Sequence, residues 1–351
     1  MSIECDDVSG LTPTPRSILD TNGKSGKSMV EFLSYLDACT LEQRPDCIIW
    51  ECVSKLDSFR QSNVQERGTD VVKETSAQRG YITEFEKMQL IVVLWAFSGG
   101  QDFSIPQSRG RTYGISIKTN GGLDTVSQAA LTKKLESAWE FVGRCKLKWT
   151  EPLFMLWERT RSHDCRDENS QEIGNKRKNK KKIEDEGTGK KWPSMHTKFK
   201  DQHGIDDADL CCKQLMWLKE QLQTLQLPKR EVEGAMLTFA ALRKQRQQDI
   251  VLKGVLYVCN IGDSITRMRW KTTHHCVLPR KRYLYLTEGT VFINPGKQFL
   301  FALQGLSPAE LYGLQHRLSC TECQDLLGNA FTSNVIAAVA LAALLFVLPG
   351  K

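Results

Sequence analysis

The chain has 351 residues, of which 40% are hydrophobic, and it carries a formal net charge of +7. This hydrophobic content is enough to bury a sizeable core, which excludes a wholly disordered chain. The 12 cysteines are scattered without the dense spacing of a disulfide framework, and the residues after Met1 do not resemble a signal peptide. We therefore expect free thiols in a reducing compartment.

Residues 1–118 alternate between predicted helices and strands. Apolar residues recur at helical spacing over 29–36, and residues 47–53 form a short apolar run typical of a buried strand in a parallel sheet. The alternation over 113–117 predicts a further strand.

A polar, lysine-rich segment interrupts the chain at 163–204, and we predict that it is a disordered insert. Within it, residues 174–200 carry ten Lys or Arg against three acidic residues, which accounts for the whole excess of positive charge. The densest run predicts sequence-independent contact with nucleic-acid phosphates or nuclear import, with a solvated spacer as the alternative. The cations of this run are Lys176, Arg177, Lys178, Lys180, Lys181 and Lys182.

Helical spacing returns after the insert, over 207–227 and again over 231–248, and Pro228 ends the first of these helices. Residues 253–300 are typical of short strands joined by turns. A final helix begins near residue 334 and has 14 apolar residues from Val335 to Leu348. A bilayer span needs about twenty such residues, so we predict a buried core helix and no membrane partner.

Two short motifs carry no functional prediction. Residues 22–28 resemble a phosphate-binding loop, but Thr21 stands where its first glycine belongs and no apolar strand precedes it. The pair Cys320 and Cys323 and the run 274–276 lack a second pair at zinc-finger spacing, so we predict no metal.

Four segments, taken in order, carry the most specific pattern in the chain. Glu51-Cys52-Val53 ends an apolar strand, and Gln107-Ser108-Arg109-Gly110-Arg111 places two arginines two residues apart. Leu303-Gln304-Gly305 and Gly328-Asn329-Ala330 follow much later. In this order the segments resemble the Glu-Asn-Val, Gln-x-Arg-x-Arg, Leu-Gln-Gly-Phe-Pro and Gly-Asn-Ala motifs of the DNA cytosine-5 methyltransferases.

The resemblance implies a role for each matching residue. Members of that family add a cysteine thiolate to a cytosine that has been flipped out of the helix, and they take the methyl group from S-adenosyl-L-methionine. Glu51 would hydrogen-bond or protonate the ring nitrogen, and Arg109 and Arg111 would hold the cytosine carbonyl and the adjacent backbone. Without the family context, the same residues are typical of a salt-bridged strand end and a solvated loop. The resemblance assigns the cofactor pocket to Gly328, Asn329 and Ala330.

The sequence departs from the family pattern in two places. Residues 7–17 align with the family's Gly-x-Pro-Cys-x-x-x-Ser segment, and Pro13 stands where the nucleophilic cysteine belongs. Proline has no side-chain nucleophile, so we expect covalent activation of the ring to fail. The family's Phe-x-Gly-x-Gly cofactor turn has no counterpart before this segment. We therefore expect an incomplete sheet, whose exposed edge would invite a covering partner.

The resemblance implies an α/β fold, namely an incomplete Rossmann-like sheet of an S-adenosylmethionine-dependent methyltransferase with a smaller target-recognition region. The predicted domains are the second half of the catalytic core at 1–118, a divergent target-recognition region at 119–270, and a returning C-terminal segment of the core at 271–351.

The predicted function is that of a DNA cytosine-5 methyltransferase-like protein with impaired turnover, located in the nucleus or otherwise in the cytoplasm. One alternative is a non-catalytic nucleic-acid-binding module that keeps the base-recognition residues. Another is a piece of a larger protein whose missing strands are encoded upstream. DNA is the expected partner, and RNA stays open because some members of the family methylate transfer RNA.

Overall fold

A computed structural model of the chain describes residues 24–53, 90–97, 100–109, 111–118, 125–147, 150–161, 192–278, 281–307, 317–330 and 332–347. The helices are α1 (Lys24–Ala38), α2 (Thr125–Cys145), α3 (Leu153–Arg161), α4 (Trp192–Gln202), α5 (Asp207–Leu210), α6 (Lys213–Thr224), α7 (Lys229–Arg246), α8 (Lys297–Ala302), α9 (Cys320–Asn329) and α10 (Ser333–Ala342). The strands are β1 (Cys47–Val53), β2 (Leu90–Phe97), β3 (Gln107–Ser108), β4 (Arg111–Lys118), β5 (Tyr257–Asn260), β6 (Trp270–Lys271), β7 (His274–His275), β8 (Tyr283–Thr287) and β9 (Thr290–Phe292).

The chain forms two compact units, whose boundaries differ from the predicted domains. The first unit joins Met1–Thr150 to Asn329–Lys351, and the second is Glu151–Gly328. Helix α2, which follows the predicted boundary at 118, packs its apolar face into the core of the first unit. Across the predicted boundary at 270, β5 pairs with β6 and β8 in one sheet.

The sheet of the first unit has the order β1-β4-β2, and the unit packs this sheet against helices. The unit therefore contains the predicted combination of strands and helices, but its described strand pairs are antiparallel, unlike those of a Rossmann-like sheet. Both outer strands run antiparallel to β4 and therefore parallel to each other. The prediction that residues 47–53 pair in a parallel sheet is wrong for the pairing that the structure describes. A short apolar run indicates burial on both faces, and it says nothing about the direction of the neighbouring strand.

One face of this sheet packs against two helices. Tyr113, Ile115 and Ile117 of β4 point to the same side, because alternate residues of a strand share a face. They form a single buried cluster with residues of α2 and α10. The helix residues of the cluster are Leu135, Ala138, Val142, Val335, Ala338, Val339 and Ala342.

The opposite face of the sheet is closed by Trp50, which is fully buried. Trp50 lies directly across from Gly114 in the strand register. A Cβ atom on Gly114 would stand 2.0 Å from Cε2 of the Trp50 indole. Only glycine therefore leaves room for the indole over the strand.

The second unit is built on an antiparallel sheet of order β6-β5-β8-β9, covered on both faces. Tyr257, Cys259 and Leu284 belong to one core cluster, together with buried residues of α4, α6 and α7. Val258 and Tyr285 belong to another, with residues of α3, α8 and α9. The short strands expected over 253–300 are thus present.

Part of the segment that we predicted to be disordered is helical. Residues 163–191 lie outside the described residues, but Trp192–Gln202 form helix α4. His196 and Phe199 of this helix are buried, and Phe199 joins the core of the second unit. The prediction of disorder is wrong for 192–204 because Trp192, His196 and Phe199 recur at helical spacing, a signal that the lysine content masked.

Two of the predicted helices are present nearly as expected, and a third is divided. The pattern over 29–36 lies within α1, and that over 231–248 corresponds to α7. The helix expected over 207–227 is divided into α5 and α6. Cys211 is the C-cap of α5, and Cys212, whose backbone is extended at φ −70° and ψ 155°, is the N-cap of α6.

The C-terminal helix α10 is buried on one side only. Val335, Val339 and Ala342 are buried, whereas Leu341 and Leu344 are exposed. The expectation of a buried core helix from Val335 to Leu348 is wrong at Leu344, which lies in the short π-helical segment Ala343–Val347 after α10 and is exposed. In the described part of the chain, one stretch, residues 320–346, is long enough and apolar enough to cross a membrane, judged by length and composition alone. A core helix passes the same test.

Candidate functional site

Glu51 lies near the end of β1 and is almost fully buried, with 1% of its surface exposed. Its Oε1 atom lies 2.7 Å from Nε of Arg111 and 3.8 Å from Nη2 of Arg109. The Arg109 side chain is also buried, and that of Arg111 is 13% exposed. The structure therefore brings together the three residues that the sequence assigned to catalysis, as a carboxylate held between two guanidinium groups.

The arginines owe their position to the start of β4. Arg111 is the first residue of that strand and lies opposite Val53, two residues from Glu51. The segment before Arg109 turns sharply, because Ser104 adopts a left-handed conformation at φ 66° and the Gln107 N–H donates to the Ile105 carbonyl at 2.7 Å. This turn lies shortly before Arg109 and the start of β4.

A third sequence segment reaches the same place. Nη2 of Arg109 donates to the backbone carbonyl of Ala330 at 2.7 Å, across 221 residues of sequence. Gly328 is buried, and Asn329 is the last residue of α9. Of the three residues predicted to bind the cofactor, Ala330 is therefore the one for which the structure shows a hydrogen bond to Arg109.

Tyr113 and Thr332 belong to this cluster, and the sequence did not single them out. Tyr113 lies directly opposite Glu51 in the register and is buried, and a backbone hydrogen bond joins its hydroxyl to Thr332. Burial raises the pKa of Tyr113, and the Glu51 charge raises it further, whereas the two arginines lower it. Tyr113 therefore remains a neutral hydroxyl. The available signal was its position two residues after Arg111, which places both side chains on one face of the strand.

Two buried polar side chains near the cluster make no hydrogen bond with the residues that the structure describes. Both amide atoms of Gln107 and the hydroxyl of Thr332 have no partner among the residues that the structure describes. Buried polar groups are nearly always hydrogen-bonded, so each such group calls for an explanation.

Several predicted residues cannot be placed beside the cluster. Pro13 and the basic run 176–182 lie outside the described residues. Gln304 of the Leu-Gln-Gly segment belongs to the second unit, where its buried amide donates to the Leu327 carbonyl at 2.9 Å. In that unit it joins the end of α8 to α9.

The run 274–276 is part of a core. Nε2 of His274 lies 2.8 Å from the Tyr285 hydroxyl, and both side chains are buried. Burial lowers the pKa of His274 to about 3, so the ring is neutral at physiological pH. Within the described ranges, no three His, Cys, Asp or Glu side chains come together in a group that could hold a metal ion.

The Glu51 cluster is suited to recognition of a planar polar group. A buried carboxylate accepts hydrogen bonds, and the guanidinium groups donate them in a fixed, forked geometry. Hydrogen bonds to charged groups are stronger than those between neutral groups, particularly where water is excluded. The cluster therefore combines an acceptor with forked donors, the groups that recognition of a ring with both donors and acceptors would need.

Comparison with solved structures yields distant likenesses. No protein-family model matches the chain, and no curated protein matches it in sequence. Among solved structures, the S. pombe Dnmt2 methyltransferase is similar with a TM-score of 0.42 and 12% identity, over 100% of this chain and 77% of that one. The Entamoeba histolytica methyltransferase EhMeth is similar with a TM-score of 0.42 and 12% identity, over 97% of this chain and 75% of that one.

Proposed function

We propose that this chain is a cytosine-5 methyltransferase-like protein that binds a cytosine in nucleic acid through Glu51, Arg109 and Arg111 and has lost turnover. One observation carries the proposal. The motif segments around residues 51, 109–111 and 330 are far apart in sequence and meet at one buried cluster. A solvated arginine loop, the alternative from sequence alone, is not compatible with an Arg109 side chain that is 2% exposed.

The loss of turnover rests on Pro13. The proposed chemistry needs a thiolate that adds to the ring, and proline offers no side-chain nucleophile. S-adenosyl-L-methionine would belong to the reaction by resemblance, with Gly328, Asn329 and Ala330 as its expected contacts. The Arg109 bond to the Ala330 carbonyl would couple that segment to the base-recognition residues.

Binding of a cytosine can be tested with a labelled single-stranded oligonucleotide that contains one cytosine, and with a matched oligonucleotide abasic at that position. We expect the wild-type chain to bind the first more tightly. Arg111→Lys should remove the preference, because an ammonium group cannot reproduce the forked donors. Arg159→Lys, which alters an exposed arginine in the second unit, is the matched control. Equal binding of the two oligonucleotides by the wild-type chain would refute the proposal, and DNA and RNA versions decide the substrate class.

Turnover is tested separately with radiolabelled S-adenosyl-L-methionine and cytosine-containing DNA or RNA. We expect no transfer of label above that of a Glu51→Ala control. Label incorporated above that control would refute the loss of activity, while leaving the proposed cytosine binding intact.

The basic run 176–182 would add sequence-independent affinity and nuclear import. Deletion of residues 174–191 should weaken binding equally for all sequences and reduce the dependence of affinity on salt, because fewer counterions are released. An unchanged salt dependence would assign the run to a spacer.

A further inference from the structure

The hydroxyl of Thr332 is buried and has no hydrogen-bond partner among the described residues. The residue lies immediately before α10 and is 1% exposed. It occupies the N-cap position of that helix, yet its side chain makes no capping hydrogen bond. Among the described residues, no atom serves as a hydrogen-bond partner of its Oγ1 atom.

Contacts on either side of this hydroxyl hold it at the Glu51 cluster. A backbone hydrogen bond joins Thr332 to the hydroxyl of Tyr113, which lies directly opposite Glu51. Two residues earlier, the Ala330 carbonyl accepts the hydrogen bond from Arg109. The backbone that carries the hydroxyl is therefore hydrogen-bonded to Tyr113 of β4 and, two residues earlier, to Arg109.

Helix capping does not account for the hydroxyl. A capping side chain accepts from the N–H groups two or three residues further on, here those of Asn334 and Val335. The Val335 N–H already donates to the Thr332 backbone carbonyl at 3.1 Å, as does the Ile336 N–H. The Thr332 backbone carbonyl thus already accepts the hydrogen bond of the Val335 N–H, which is the donor that a capping hydroxyl would bind at the third helical position.

We propose that the Thr332 hydroxyl contacts the ligand of this site and forms a hydrogen bond with the polar edge of the cytosine bound against Glu51. The inference rests on the proposed function and adds a specificity-determining residue to it. A hydroxyl both donates and accepts, so it suits a ring edge that presents a carbonyl oxygen or an amino group.

The test measures the affinity of Thr332→Val, which keeps the shape of the side chain and removes the hydroxyl. The probes are the cytosine-containing and abasic oligonucleotides, and the readout is fluorescence anisotropy. We expect Thr332→Val to weaken binding of the cytosine oligonucleotide about threefold to tenfold, as for one lost hydrogen bond, and to leave the abasic one unchanged. Thr332→Ser should retain wild-type affinity because it keeps the hydroxyl.

The sheet supplies a matched control. Ser116 also has a buried hydroxyl without a partner in the described part of the chain, but it lies opposite Ile48, on the face that Glu51 does not share. Ser116→Ala should therefore leave both affinities unchanged. If Thr332→Val does not fold, Thr332→Ala takes its place, with circular dichroism to verify the fold.

The outcomes separate the inference from the function on which it rests. A wild-type chain that binds both oligonucleotides equally refutes the proposed function and the inference with it. A wild-type preference for cytosine that survives Thr332→Val overturns the inference alone. Equal weakening for both oligonucleotides would also overturn it, since that result assigns Thr332 a structural role.

Discussion

Each unit of this chain contains a buried polar centre, and the two differ in charge. In the first unit, the Glu51 carboxylate lies between two guanidinium groups, and its members come from segments far apart in sequence. In the second unit, the neutral His274 ring is hydrogen-bonded to the Tyr285 hydroxyl and is surrounded by aromatic side chains. Burying charge costs free energy even when it is paired, whereas a neutral hydrogen-bonded pair adds to a core at little cost. The charged centre is therefore the better candidate for function.

The largest expected effect comes from removing the Glu51 charge. Glu51→Gln leaves two guanidinium groups around a neutral amide, and breaking a buried ion pair from one side costs about 3–5 kcal/mol of unfolding free energy. Urea denaturation measures the loss. The control is Glu151→Gln, whose partner Arg159 is mostly exposed, so the loss there should stay below about 1 kcal/mol. Equal losses for the two variants would show that the Glu51 cluster is not a buried ion pair.

A smaller effect is expected on the opposite face of the same sheet. Gly114→Ala forces a methyl group against the Trp50 indole and should cost about 1–3 kcal/mol through overpacking, measured by thermal and urea denaturation. Gly143→Ala is the matched control. Nothing lies within 4 Å of a Cβ atom there, and the residue belongs to α2, so the substitution should stabilise by up to about 1 kcal/mol. If Gly114→Ala proved neutral, Trp50 would not be packed against β4 as described.

The smallest effect concerns the neutral centre and depends on pH. The folded-state pKa of His274 is lowered to about 3, so below its ordinary pKa of 6.5 the unfolded chain binds a proton that the folded chain does not. Stability is therefore nearly constant well above pH 6.5 and decreases as the pH falls towards 3, by about 1.4 kcal/mol between pH 7.5 and 5.5. Urea denaturation across this range, on the wild type and His274→Gln, checks the prediction.

The variant His203→Gln, which alters an exposed histidine, is measured beside His274→Gln as the control for the loss of one histidine side chain. Burial also lowers the pKa of His196 and His275, so part of the acid sensitivity remains in His274→Gln. A pH dependence identical in the wild type and His274→Gln would mean that His274 is not buried in its neutral form.

In this chain, the most conspicuous sequence motif does not lie at the candidate site, and an inconspicuous residue does. Two histidines followed by Cys276 form a conspicuous run, yet His274 packs among Tyr283, Tyr285 and Phe299. Glu51 is a single carboxylate in an apolar run, and only its order relative to Arg109 and Arg111 indicated a site. The order of motifs along the chain was informative because it constrains several distant positions at once. A run of neighbouring residues, such as 274–276, gives information only about its own short segment of the chain.

The amino-acid sequence by itself determined the elements that depend on local periodicity. The helical spacing within α1 and α7, the alternation in β4 and the apolar run of β1 are properties of neighbouring residues, and each is present in the structure. Only the tertiary structure decided the antiparallel pairing of β1 with β4, the exposure of Leu344 and the meeting of Tyr113 with Thr332. These features depend on which surfaces pack together although they are hundreds of residues apart in sequence. The packing that forms is the one that best buries the apolar surface of the whole unit, and no local sequence pattern contains that information.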